Sequence, residues 1–219
     1  MKNIITIFLL ISIQLCYSQE MGYQMTTTSS KEEFLKYSEI TGSPFLNDAF
    51  KQAKATCCNE IAPMRYDIYA DEIEYKKGDV VYRLLKQKPY TRIEFANPNV
   101  TLVLEDIENN NKPGYFILLA DGKNSLLKKL NIKIENIVVD PKKTTGYGKK
   151  EESSSNFKES KPAYYIKTEK NTYILLKTKK DILEVYPEKS RELNNFFDSN
   201  SIKFNKDDSL VKLVNFLNK

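Results

Sequence analysis

From Met64 to Ala70 apolar and polar positions alternate. Met64, Tyr66, Ile68 and Ala70 interleave with Arg65, Asp67 and Tyr69, the period of a strand with one face buried. Glu72 to Tyr75 continues the pattern, Lys77-Gly78-Asp79 offers a turn, and Val80 to Leu85 runs back. Further strands are expected at Tyr90 to Ala96, Val100 to Glu105, Tyr115 to Ala120 and Leu126 to Val139. Asn97-Pro98-Asn99, Asn109 to Gly114 and Asp121-Gly122 separate them as turns. Such short breaks predict an antiparallel β-meander, as an open sheet or a partly curled barrel. A β-hairpin follows over Ala163 to Thr168 and Thr172 to Lys177. The period then changes to that of helices, with Ile182, Leu183 and Tyr186, then Leu193, Phe196 and Phe197, then Leu210, Leu213, Val214 and Leu217 each sharing a face. Thr178 with Asp181 suits the cap of the first helix, Pro187 the start of the second, and Asp207-Asp208 the start of the third. The predicted class is α+β.

The flanks behave differently. Lys2 followed by a mostly apolar run from Ile4 to Leu15 has the form of an export signal over 1–18 and is too short to span a bilayer. Cys16-Tyr17-Ser18 places cleavage before Gln19. A lipid anchor on Cys16 is disfavoured, because Leu15 is bulky where lipoprotein processing needs a small residue. No later stretch approaches the length of a transmembrane helix. The reading is therefore an exported protein of the periplasm or the extracellular space, with association to the outer membrane left open. Residues 19–41 form a polar arm with one short helix expected from Lys31 to Ile40, 42–140 a β-rich domain, and 141–162 a flexible linker or long loop almost without apolar residues. Residues 163–219 carry the hairpin and helices, packed on the β-rich part.

Composition narrows the chemistry. The chain of 219 residues has no histidine and no tryptophan. Triads with an imidazole base and the usual zinc sites are thereby excluded. Of its 34 basic residues only Arg65, Arg83, Arg92 and Arg191 are arginine, so the forks that read guanine or grip phosphate are scarce and nucleic acid is not an expected partner. The net charge of +5 becomes +4 once Lys2 leaves with the leader, and it speaks of solubility. No nucleotide fingerprint, Walker motif or nucleophile elbow is present, and no cofactor or metal is implied.

Two features remain as candidate sites. Asp67, Tyr69, Asp71, Glu72 and Glu74 form a dense acidic and aromatic cluster, a candidate surface for a ligand or partner. Paired carboxylates could also run glycoside hydrolysis without histidine. Cys57 and Cys58, the two cysteines left after export, are a candidate disulfide, although neighbours sit closer than bridged cysteines usually do. Reduced thiols and an intermolecular bridge remain alternatives.

Several stretches resemble a group of uncharacterised exported proteins of Bacteroidota. They are Gly42-Ser43-Pro44-Phe45-Leu46-Asn47 with Phe50, Met64 to Asp67 through Glu74, Gly114-Tyr115-Phe116 through Leu127, Lys179 to Leu183, and the Leu210 to Leu217 helix. The resemblance implies export and carries no established activity. The expected function is that of a non-enzymatic module that binds a protein of the envelope or exterior. The alternatives are a carrier of a small apolar ligand in a barrel-like cavity and a carbohydrate-active enzyme using an Asp/Glu pair.

Overall fold

The computed structural model describes residues 25–27, 37–137 and 154–219. The leader, most of the polar arm including residues 31–36 of its expected helix, and the middle of the linker lie outside the described residues; of that helix, Tyr37 and Ser38 are helical and Ile40 already begins a strand. Among the described residues fourteen strands come first: β1 (Met25–Thr27), β2 (Ile40–Thr41), β3 (Lys51–Ala55), β4 (Ala62–Asp67), β5 (Glu72–Lys77), β6 (Val80–Leu84), β7 (Arg92–Phe95), β8 (Val100–Glu105), β9 (Gly114–Ala120), β10 (Ser125–Lys129), β11 (Ile132–Ile137), β12 (Ser154–Glu159), β13 (Ala163–Lys167) and β14 (Tyr173–Leu175). Helices α1 (Lys179–Val185), α2 (Ser190–Ser199) and α3 (Asp207–Leu217) close the chain. Among the described residues, no helix is long and apolar enough to cross a membrane.

Eleven strands make one antiparallel sheet in the order β1-β6-β5-β4-β3-β7-β8-β9-β10-β13-β14. Two meanders, β3 to β6 and β7 to β10, join where β7 returns to the free edge of β3. The sheet is curled and remains open, with β1 and β14 at its edges. Tyr66 on β4 and Tyr115 on β9 meet with ring centroids 6.0 Å apart, although their strands, four steps apart in the order, would lie about 19 Å from each other in a flat sheet.

Register decides what the concave face holds. Met64 pairs with Tyr75, Tyr66 with Ile73, Ala55 with Ile93, Ile93 with Leu102 and Leu104 with Tyr115, so these side chains share one face and form the first core. The same face continues through Ile117, opposite both Leu102 and Lys128, to Leu126, Ile166 and Ile174. There the helices cover it with Ile182, Leu193, Leu210, Leu213, Val214 and Leu217. Asp181 starts α1 by accepting the backbone N–H groups of Thr178 (2.6 Å) and Lys177 (2.7 Å), as the spacing from Thr178 predicts. Asn218, just past α3, is clamped to Asn124: its Oδ1 accepts the Asn124 backbone N–H and its Nδ2 donates to the Asn124 carbonyl.

Three details differ from the periodicity. The first long strand ends at Asp67, because that carboxylate accepts the Ala70 N–H at 2.8 Å and turns the chain. Leu126 to Val139 is two strands: β10 pairs within the main sheet, whereas β11 leaves it. Residues 154–159, inside the stretch read as linker, form β12. It runs antiparallel to β11 and parallel to β2 in a second, three-stranded sheet. Thus β10–β11 and β12–β13 are two arms of one long hairpin, half in the main sheet and half beyond it. The regions read as 42–140 and 163–219 share a sheet through β10 and β13.

Candidate binding groove on the outer face

The convex face of β4, β5 and β6 carries the residues that alternate with the core: Arg65 and Asp67, Glu72 and Glu74, Val81 and Arg83. A groove of about 460 Å³ lies on this face, between the sheet, the 42–50 segment and the small sheet. Its apolar lining is Tyr37, Phe45, Phe50, Val81 and Phe157. Phe45 reaches it because the Leu46 N–H donates to the Tyr66 carbonyl at 3.0 Å and the Ile68 N–H to the Pro44 carbonyl at 2.8 Å. This short pairing extends the β3 side of β4 and turns Phe45 outward beside Arg65. Gly42, with φ of +84°, lets the chain pass under β12. A Cβ there would lie 2.9 Å from Asn156 Oδ1 and 3.2 Å from the Phe157 carbonyl oxygen. Phe157 then meets Tyr37 edge-on at 5.4 Å and Tyr69 at 5.5 Å.

Arg65 is the polar centre of the groove. Its guanidinium lies 3.6 Å from the centroid of the Phe45 ring and 4.6 Å from that of Phe50. Its Nε donates to Glu74 Oε2 at 2.5 Å and its Nη1 to the Asp48 carbonyl at 3.0 Å. Stacking and a fixed fork are what arginine supplies and lysine does not. Burial raises the Glu74 carboxyl above the usual range, and the Arg65 bond only partly offsets this. Asp48, Glu74 and Asp79 against Arg65 and Lys76 are three acids against two bases, which leaves one negative charge on the lining.

The acidic cluster of the sequence is mostly an internal scaffold. Asp67 is 3% exposed, caps the turn through Ala70 and accepts the Tyr37 hydroxyl at 3.1 Å. Burial raises its carboxyl, opposed by those hydrogen bonds. Asp71, with φ of +57°, ties the β4–β5 turn across the curl. It accepts from Tyr66 Oη (2.7 Å), Lys129 Nζ (2.6 Å), Lys86 Nζ (3.0 Å) and the Tyr115 N–H (3.2 Å). Burial pulls the Lys129 ammonium below the usual lysine range, and Asp71 opposes the shift. Glu72 pairs with Arg83 at 2.7 Å. Of the five predicted residues, Glu74 lines the groove and the exposed Tyr69 flanks Phe157 beside it.

Phe45, Phe50, Arg65, Tyr37 and Phe157 carry the groove, and the acidic cluster did not point to them. Phe45 and Phe50 were visible only as aromatics around a turn, and Phe157 as one of two aromatics, with Tyr147, in a polar stretch. Arg65 read as one polar position of a strand. A second groove, of about 420 Å³, lies on the convex face of β7 to β10, where Arg92 pairs with Asp121 and Lys167 with Glu105. Among the described residues no group of three or more Cys, Asp or Glu side chains is placed to hold a metal ion. Cys57 and Cys58 are free thiols in the β3–β4 turn. No family model, curated protein or solved structure matches the chain.

Proposed function

We propose that the protein is a non-enzymatic binding module of the cell envelope or exterior. Its contact surface is the groove on β4 to β6, and its partner is a protein that presents a short segment with an apolar anchor beside a lysine or arginine. The observation that carries this reading is the groove itself: aromatic walls from three separate parts of the chain around a stacked, ion-paired arginine. Apolar pockets with a few convergent polar groups are the usual form of a recognition site. Aromatic residues and arginine are the side chains on which binding energy concentrates. The residual negative charge favours a basic neighbour to the anchor.

Two further features support this over the carrier reading. The sheet does not close, and its concave positions are filled by Met64, Tyr66, Ile73, Ile93, Leu102 and Tyr115, each at most 2% exposed. Export rests on the leader-like run from Ile4 to Leu15. Replacing Phe50 with photoreactive benzoyl-phenylalanine in the producing cell tests the proposal. Irradiation is expected to join the protein to one partner through a short segment containing Lys or Arg, with no such adduct from the same group at Leu175 on β14. Adducts of equal yield from both positions, or none from position 50, would contradict it.

A further inference from the structure

The two adjacent cysteines are placed in a way their sequence does not dictate. In an extended strand neighbouring side chains point to opposite faces. Here the chain turns directly after β3, with the Cys58 N–H donating to the Ala55 carbonyl at 3.0 Å. The turn brings both sulfurs to one side, 2.7 Å apart. A disulfide needs 2.03–2.05 Å, so the atoms have only about 0.7 Å left to close. The turn is held on both flanks while they do so. The Thr56 N–H donates to the Arg92 carbonyl at 3.0 Å, and Glu60 accepts the Tyr75 hydroxyl at 2.7 Å. Access is graded: Cys57 is half-buried, while Cys58 is 4% exposed and packs into the first core.

We infer that Cys57 and Cys58 are a reversible thiol–disulfide site, oxidised to a bond between neighbours by a small-molecule disulfide and reopened by a dithiol. The Cys57 thiolate attacks one sulfur of the oxidant, RSSR, giving a mixed disulfide and releasing one RS⁻. The Cys58 thiolate then attacks Cys57 Sγ and releases the second. Two protein S–H bonds and one RS–SR bond are lost, one protein S–S bond and two RSH are formed, and the oxidant takes both electrons. Burial, followed by the hydrogen bond with Cys57, pushes the Cys58 thiol up to about 12, which makes Cys58 the poorer first nucleophile; its attack comes second, where it is intramolecular and the target sulfur lies 2.7 Å away. A ring across adjacent residues is strained, since their Cα atoms lie near 3.8 Å where bridged cysteines usually need at least 4.4 Å. Strained bridges are the readily reduced ones, so the pair works as a switchable modification and not as a staple.

The test uses the full chain carrying Cys16→Ser, reduced, equilibrated with oxidised and reduced glutathione, quenched with an alkylating agent and weighed intact. The expected product loses both alkylation sites together, is lighter than the dithiol by two hydrogens, and carries no glutathione. Adding Cys58→Ser should trap one glutathione on Cys57. In urea, at the same glutathione ratio, the oxidised pair should fall at least about tenfold relative to the remaining dithiol. Persistent alkylation of both thiols, a disulfide-linked dimer, a stable glutathione adduct on the parent protein, or equal oxidation in urea would each overturn the inference.

Discussion

Arg65 joins the groove to the sheet beneath it. Its side chain is 17% exposed and that of Glu74 11%, so the pair is nearly out of water while the guanidinium also stacks on two rings. Removing one partner of such a pair leaves the other buried without a counter-charge. Arg65→Ala should therefore cost about 2–3 kcal/mol, read as a lower urea midpoint at unchanged slope. Arg65→Lys should recover less than half of that loss, because an ammonium can neither stack as a plane nor hold both Glu74 and the Asp48 carbonyl. Tyr115 offers the opposite case. Its hydroxyl is buried with no hydrogen-bond partner among the described residues, and burial followed by the nearby Asp71 and Glu72 charges raises its ionisation. Tyr115→Phe removes an unsatisfied polar atom and keeps the ring against Tyr66, so stability should be unchanged or higher by up to about 1 kcal/mol. A loss of stability in that variant would mean the hydroxyl has a partner after all.

At the scale of elements, the hairpin from β10 to β13 makes the groove. Its inner half pairs in the main sheet, and its outer half, β11–β12, carries Phe157 over the 42–50 segment. Gly42 is the passing point. Gly42→Ala should destabilise by more than about 1 kcal/mol, since the residue is left-handed and its new Cβ meets β12. Amide exchange should quicken in β12 and β2 and stay unchanged in β8 and β9. The meander, the terminal hairpin and the three helices were legible because each strand or helix buries one face and so prints its period in the sequence. β8 falls on Val100–Glu105 as the alternation indicates, and α3 begins at Asp207. β3 was not legible, because in Lys-Gln-Ala-Lys-Ala the buried face is made of alanines. β12 was hidden because its burial rests on Phe157 alone. The groove was hidden for a related reason. Its residues come from positions 37 to 157 and meet only once the 42–50 segment pairs with β4 and the small sheet lies over it, whereas the acidic cluster, compact in sequence, serves mainly to pin the curl of the main sheet at Asp71.

At the scale of the molecule, tyrosine replaces the absent tryptophan and histidine in much of the buried polar chemistry. Tyr66 donates to Asp71, Tyr164 to Asp207 at 2.6 Å and Tyr173 to Glu105 at 2.7 Å. Burial, followed by the carboxylate each one bonds, raises the ionisation of all three well above the usual value, and burial pushes Tyr186 up to about 12. A group whose folded pKa lies above its unfolded one stabilises fully below the unfolded value and stops doing so as pH rises through the folded one. Stability should therefore hold up to about pH 10 and fall above it. The share of tyrosinate absorbance that Tyr66→Phe, Tyr164→Phe and Tyr173→Phe remove should appear together with loss of the far-UV strand signal, and not ahead of it. Early ionisation of these three tyrosines in a still-folded protein would contradict these contacts.

The groove makes the central claim, and one comparison of capture yields tests it most directly. Wild-type protein, Val81→Glu in the groove and Leu175→Glu on the far edge strand are immobilised and exposed to envelope and secreted fractions of the producing cell, and the yield of each captured protein is compared across the three. The account predicts one partner held equally by wild type and Leu175→Glu and reduced at least about tenfold by Val81→Glu, the loss expected from a charge set in an apolar contact centre. Equal capture by all three proteins, loss through Leu175→Glu alone, or no specific partner at all would contradict it.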